Sequence, residues 1–329
     1  MSQLGEFSVT LAGDEDLILP PPARRALEAI RRDRGEDARR HAAALKTDPL
    51  LSGLYWAAFF EGLIAAHGDA DGFGADEFFR AAGIAFAVGS SVSAFEIADR
   101  KSAAWSCELA SRLAALAWEY AGRAQRRQEK LDRALTTHAA AYALRKEHGH
   151  AEECWESAMS AGQDAVLWRK HEESESWFDR ALFHAEKMEE PAWRHRAESL
   201  EARAKLHLQA GSISKAVTDA RLARSAWLQF DSTAVHVPRA DLLVARTLLR
   251  KAELFGDEAT EQAAETLSEA VALLTSAAES FAAFGPGFAD DARLTVELLD
   301  LASRLSPTPG AADSVCDDVK AETIASSSN

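Results

Sequence analysis

The stretch Ala197–Ala223, AESLEARAKLHLQAGSISKAVTDARLA, reads as two helices joined by a short turn at Gly211-Ser212. Small residues recur at Ala204, Ala216, Ala220 and Ala223, with Leu200, His207 and Ile213 beside them. Two helices approach closely where small side chains let the backbones cross and larger ones fill the flanking gaps. The pattern therefore specifies a tightly packed helical hairpin.

Upstream the same series returns twice. It stands at Ala158, Ala161, Gly162, His171, Ser174, Phe178 and Ala181, and again at Trp118, Ala121, Gly122, Leu131, Ala134, His138 and Ala141. From Ala134 to Ser174 is 40 positions and from Ser174 to Ala216 is 42, a period within the range of stacked helical repeats. Downstream, Arg239 to Phe284 keeps an amphipathic pattern at Leu242, Leu243, Ala245, Leu248 and Leu249, but Gly256-Asp257 lengthens the linker. It reads as a degenerate fourth hairpin.

These units resemble the tetratricopeptide repeat family, most clearly through Ala197, Leu200, Ala204, His207, Gly211, Ile213, Ala216 and Ala223. Arg203 departs from the family's usual leucine, and His138 and Ala220 from its usual aromatic. The period exceeds the common 34 residues, as in longer-repeat members. The resemblance implies protein or peptide binding, with the first helix of each pair lining a concave groove. Carried across by register, the groove positions are Arg123 and Arg127, then Gln163, then Glu201, Lys205 and Gln209, the last three on one helix face. Cations there point to an acidic peptide held by charge-assisted hydrogen bonds. The asparagine clamp common in the family is not expected, because the one asparagine is Asn329.

The rest of the chain fits an all-α fold. Residues 1–19 read as an extended segment with one β-like run, Phe7 to Leu11; residues 20–92 read as a helical bundle of four helices, its fourth ended by Gly89-Ser90-Ser91; and residues 93–306 read as an α-α superhelix of hairpins that starts with a long helical stretch from Ser93 to Gln125. A last helix, Ala289 to Leu305, places Leu294, Leu298, Leu301 and Leu305 on one stripe and caps the stack. Residues 307–329 turn to Pro, Gly, Ser and Asp and read as a disordered acidic tail, able to occupy a basic groove in the absence of a partner.

Composition narrows the function. With 37 basic against 52 acidic residues the net charge is −15, which repels nucleic acid and anionic lipid. No apolar run reaches the length of a membrane span and no signal peptide is read at the N-terminus. Three scattered cysteines, Cys107, Cys154 and Cys316, suggest neither disulfides nor a zinc pair, and a reducing, bacterial cytoplasm is expected.

Two metal-like patterns fall short of a site. The turn Asp69 to Glu77 starts like a calcium loop, but Phe73 and Arg80 replace two ligands. His148, His150 and Cys154 lack a second ligand pair. Among the tryptophans, Trp118 and Trp227 fall at packing positions, and Trp168 and Trp193 at helix ends read as exposed. With no phosphate loop, nucleophile elbow or zinc helix, the expectation is a non-enzymatic adaptor without cofactor or metal. The alternative is a ligand-responsive regulator that senses a peptide or small molecule.

Overall fold

The computed structural model describes residues 21–32, 34–47, 51–67, 74–95, 107–188, 192–233, 235–255 and 260–305. The expected N-terminal extended segment and the acidic tail lie outside the described residues. Among the described residues the fold is all-α, with thirteen α-helices. They form two compact units, one through Met188 and one from Glu189.

The first unit holds α1 (Pro21–Arg31), α2 (Gly35–Leu45), α3 (Leu51–His67), α4 (Gly74–Phe95), α5 (Cys107–Arg127), α6 (Leu131–His148), α7 (Ala151–Leu167) and α8 (His171–Ala185). The second holds α9 (Trp193–Gln209), α10 (Ile213–Phe230), α11 (His236–Phe255), α12 (Thr260–Phe284), a 3-10 turn at Pro286–Phe288 and α13 (Ala289–Leu305). Within each unit consecutive helices pack on one another as antiparallel neighbours.

One contact closes hairpin after hairpin. A Cβ added to Gly62, Gly122 or Gly162 would come within 2.8, 2.5 and 2.5 Å of ring atoms of Phe78, His138 and Phe178. In each case the ring lies sixteen positions after the glycine. In α9–α10 the same pair is Ala204 and Ala220, both in the core. The second helix of each hairpin buries its residues at i, i+4 and i+7: Ala38, Ala42 and Leu45; Ala134, His138 and Ala141; Ser174, Phe178 and Ala181; Ala216, Ala220 and Ala223; Ala270, Leu274 and Ala277. Gly74, Phe78 and Ala81 in α4 follow the same spacing. That spacing keeps three side chains on one helical stripe.

The contact thus operates in α3–α4, upstream of residue 93. There α3 brings Tyr55, Trp56, Phe59 and Phe60 into one cluster with Phe78 and with Tyr120 of α5, so α1 to α4 share a core with α5.

The hairpin turns repeat as well. Glu129, Arg169 and Gly211 have φ of 59°, 61° and 75°, and each follows its hairpin's glycine or alanine by seven positions. The next backbone N–H reaches back to Gln125, Ala165 and His207, which satisfies an orphan carbonyl at the helix end. Glycine is the natural residue there; Glu129 and Arg169 take the same conformation at a cost of about 1 kcal/mol.

Three details add to or depart from the sequence reading. Gly89-Ser90-Ser91 does not end a helix but lies inside α4, since glycine and serine cost a helix interior only about 1 kcal/mol or less each. The helical stretch read as starting at Ser93 begins inside α4, which runs to Phe95, and continues as α5 from Cys107, with residues 96–106 outside the described residues. In α13 Leu298 of the expected stripe is buried and Leu301 and Leu305 pack against the same core, but Leu294 is exposed and Thr295, Leu299 and Ala302 are buried in addition, because contact with α11 and α12 selects the face at i, i+3, i+4 and i+7. By length and composition α12 could cross a membrane. It packs Leu267, Leu274 and Phe281 into the core and carries Glu261, Glu265, Glu269 and Glu279 elsewhere on its surface.

Gly162→Ala is expected to destabilise the protein by about 1 kcal/mol or more through overpacking against Phe178. Gly83→Ala, with open space around it, is expected to stabilise by roughly 0.5–1 kcal/mol. Urea unfolding of both variants checks the pair, and a matching sign for the two changes would contradict the contact.

Candidate functional site

Two polar stripes meet in the first unit. On α5, Arg112, Glu119, Arg123 and Arg126 are spaced 7, 4 and 3 apart, and on α7, Glu153, Ser157, Ser160 and Asp164 are spaced 4, 3 and 4. Both spacings follow the helical period, so each set shares a face. Arg112 donates to Glu153 from two nitrogens at 2.8 and 3.2 Å. Further along, Ser157 and Ser160 donate to the two carboxylate oxygens of Glu119, and Arg126 pairs with Asp164. The pairs advance together along both chains, so α5 and α7 run side by side in the same direction.

From α6, His138 and Arg145 enter this layer. Arg145 donates to the Glu153 carbonyl at 3.0 Å and to the Ser157 hydroxyl at 2.8 Å, and lies 3.2 Å from the Glu156 carboxylate. His138 sets Nδ1 against Asp164 at 2.5 Å and Nε2 against the Glu119 carbonyl at 3.1 Å. Both ring nitrogens thus face an oxygen from a neighbouring helix. Glu119, His138 and Asp164 are fully buried, and Arg145, Arg112 and Glu153 nearly so. Burial acts to raise the Glu119 carboxyl, but His138, Arg123 and Arg145, with the Ser160 hydroxyl, hold it down to about 2.

Above this layer lie the expected groove residues of the first unit. Arg123 is one-third exposed and bridges Glu156 at 2.5 Å to Glu119 at 3.4 Å, with its guanidinium 5.2 Å from the Tyr120 ring centre. Burial acts to lower its basicity, yet the Glu119 and Glu156 carboxylates raise it well above the ordinary guanidinium value. Arg127 and Gln163 are exposed, and Arg126, which the repeat register does not pick out, donates to Gln163 at 3.1 Å and to the Ser160 carbonyl at 2.8 Å. Arg123, Arg126 and Gln163 are thereby joined through one ladder.

In the second unit Glu201, Lys205 and Gln209 follow one another along α9. Glu201 accepts from the indole N–H of Trp227 at 2.6 Å and from Lys205 at 3.3 Å, while Lys205 and Gln209 are exposed. Arg203, at the family's leucine position, donates twice to buried Asp219 at 2.8 and 2.7 Å. Trp227 is buried and stacks on His236, Trp193 is partly buried beside it, and Trp168 is exposed beneath Lys170. The expectation of an exposed Trp193 is corrected by that packing.

Residues 68–73 of the calcium-like turn lie outside the described residues, and Arg80 pairs with Glu61. Burial pushes the Cys154 thiol up to about 11, away from the thiolate that zinc requires. Among the described residues no group of three or more His, Cys, Asp or Glu is placed to hold a metal.

Solved structures similar to this chain include the C-terminal part of a TPR repeat-containing protein from Cytophaga hutchinsonii, at 12% identity and a TM-score of 0.47, over 89% of this chain and 98% of that one. Another is the TPR2AB domain of yeast Sti1 in a complex with pHSP90, at 15% identity and a TM-score of 0.31, over 86% and 97%. Both neighbours are tetratricopeptide repeat proteins, each matched over most of this chain. No protein-family model and no curated protein matches it.

The buried ladder carries a pH signature. The Glu119 carboxyl is lowered from its ordinary 4.5 to about 2 in the folded state, so its stabilisation is complete above pH 4.5 and is lost as pH falls toward 2. Glu119→Gln is expected to destabilise by about 3–5 kcal/mol, because His138 and Arg145 lose their buried anion, and to flatten the dependence between pH 4.5 and 2. Thermal melts across that range check both effects.

Proposed function

We propose that the protein is a non-enzymatic scaffold that binds an extended, acidic segment of another protein. The observation that carries this reading is the α5–α7 face, where Arg123, Arg126, Arg127 and Gln163 sit on two helices fixed in parallel register by the ladder beneath them. A partner meeting a preformed surface loses less conformational freedom than one meeting a mobile surface. Guanidinium groups suit carboxylates because their planar fork matches the two carboxylate oxygens.

The groove of an α-α superhelix, lined by first helices, is the setting we assign to this face. Glu201, Lys205 and Gln209 are assigned to the corresponding face of α9, where the mixed charge suits a segment carrying both signs. We place the protein in a bacterial cytoplasm, with no nucleic acid, membrane, metal or cofactor needed for the binding.

Fluorescence anisotropy with labelled Glu-rich and Ser/Gly-rich peptides tests the reading. The acidic peptide is expected to bind with an affinity that falls as salt rises, and the control peptide is not. Arg127→Glu/Gln163→Glu, both at exposed positions, should weaken acidic-peptide binding at least about tenfold, or roughly 1.4 kcal/mol, without changing the melting temperature. Equal binding by the variant would contradict the assignment.

A further inference from the structure

A cavity of about 340 Å³ opens in the second unit among α10, α11 and α12, lined in part by Arg224, Asp241, Ser276, Val237, Pro238 and Phe284. Its size falls at the small end of pockets that hold small molecules. Two charged side chains, one of each sign, face it. Arg224 Nε donates to Asp241 Oδ1, and among the described residues neither the terminal Arg224 nitrogens nor the second Asp241 oxygen has a further protein partner. Asp241 is nearly buried and Arg224 is about one-third exposed.

The pair is therefore half used. A guanidinium edge with spare N–H groups calls for an anionic oxygen, and a carboxylate oxygen beside it calls for an N–H donor. Burial pushes the Asp241 carboxyl up despite Arg224, consistent with an anion whose surroundings leave room for a further donor. Because the lining charges sum to zero, a ligand with net negative charge meets Asp241 and one with net positive charge meets Arg224. A ligand carrying both charges on neighbouring atoms satisfies each. Val237, Pro238, Ala283 and Phe284 supply apolar walls, and Ser276 adds a hydroxyl.

We propose that this cavity is a binding site for a zwitterionic α-amino acid with an apolar side chain, its carboxylate on Arg224, its ammonium on Asp241 and its side chain against Phe284 and Pro238. The α-spacing matters, since Arg224 and Asp241 touch and the ligand's two charges must be equally close. The site lies on residues other than those of the α5–α7 face and does not rest on that reading. It would make the second unit responsive to a small metabolite.

Isothermal titration of the full chain with L-leucine, N-acetyl-L-leucine and L-leucinamide tests this. Leucine is expected to bind in the micromolar to low-millimolar range. Each derivative, having lost one charge, should bind at least about tenfold more weakly, roughly 1.4 kcal/mol. Arg224→Gln should weaken leucine binding similarly. Ser276→Tyr, at an exposed position lining the cavity, should abolish it with the melting temperature unchanged. No binding of leucine, equal binding of the derivatives, or leucine binding that survives Ser276→Tyr in the folded protein would each overturn the proposal.

Discussion

The close approach of a glycine or alanine to the residue sixteen positions later is the constraint from which the hairpins follow. At Gly62, Gly122 and Gly162 no Cβ fits against the facing ring, so the two helices of a hairpin meet at one point and in one register. With that crossing fixed, the second helix has a determined face to bury, and its residues at i, i+4 and i+7 are buried in α6, α8 and α10. The turn is determined too, because helices crossing at that point leave a short link in which one residue takes a positive φ. Where the pair becomes two alanines in α9–α10, both lie in a core shared with Leu242, Val244 and Leu248 of α11.

On this frame the α5–α6–α7 layer is an exception to apolar packing. His138 holds the place that Phe78 and Phe178 hold in their hairpins and stands between Asp164 and Glu119, and a ladder of charges reaches from Arg112 to Arg126 beside it. Buried charges stabilise little in total, because desolvation offsets most of the attraction. Their effect is on alignment: a shifted register would leave several of them buried and unpaired, at a cost of several kcal/mol for each broken pair. The ladder therefore holds α5 and α7 in one parallel alignment, and the exposed face above it inherits that rigidity.

Much of the hairpin architecture was legible in the sequence because spacing of small residues is a local signal. Gly122, Gly162 and Ala204 announce their hairpins through the small residues spaced with them, while Gly62 follows bulky Phe59 and Phe60 and carries no such series. In α13 the leucine row located the packed side at Leu298, Leu301 and Leu305, but not Leu294, which is exposed, nor the buried Thr295 and Ala302, whose side chains carry little hydrophobic signal. The ladder was hidden for a different reason. Its residues are charged, and charge on a helix reads as solvated surface unless the opposite stripe, forty positions away, is read with it. The positions Arg123, Arg127 and Gln163 were reached by register, whereas the bond from Arg126 to Gln163 and the half-used Arg224–Asp241 pair depend on side-chain geometry that spacing does not carry.

A double-mutant cycle on Gly162 and Phe178, followed by urea unfolding, tests the governing contact most directly. If the glycine is required because the ring occupies its Cβ space, adding a methyl group at 162 in a Phe178→Ala background should be neutral or stabilising, and the coupling energy between the two positions should be about 1 kcal/mol or more. If the two changes add independently, the ring does not set the approach of the helices, and the account of the fold built on that contact fails.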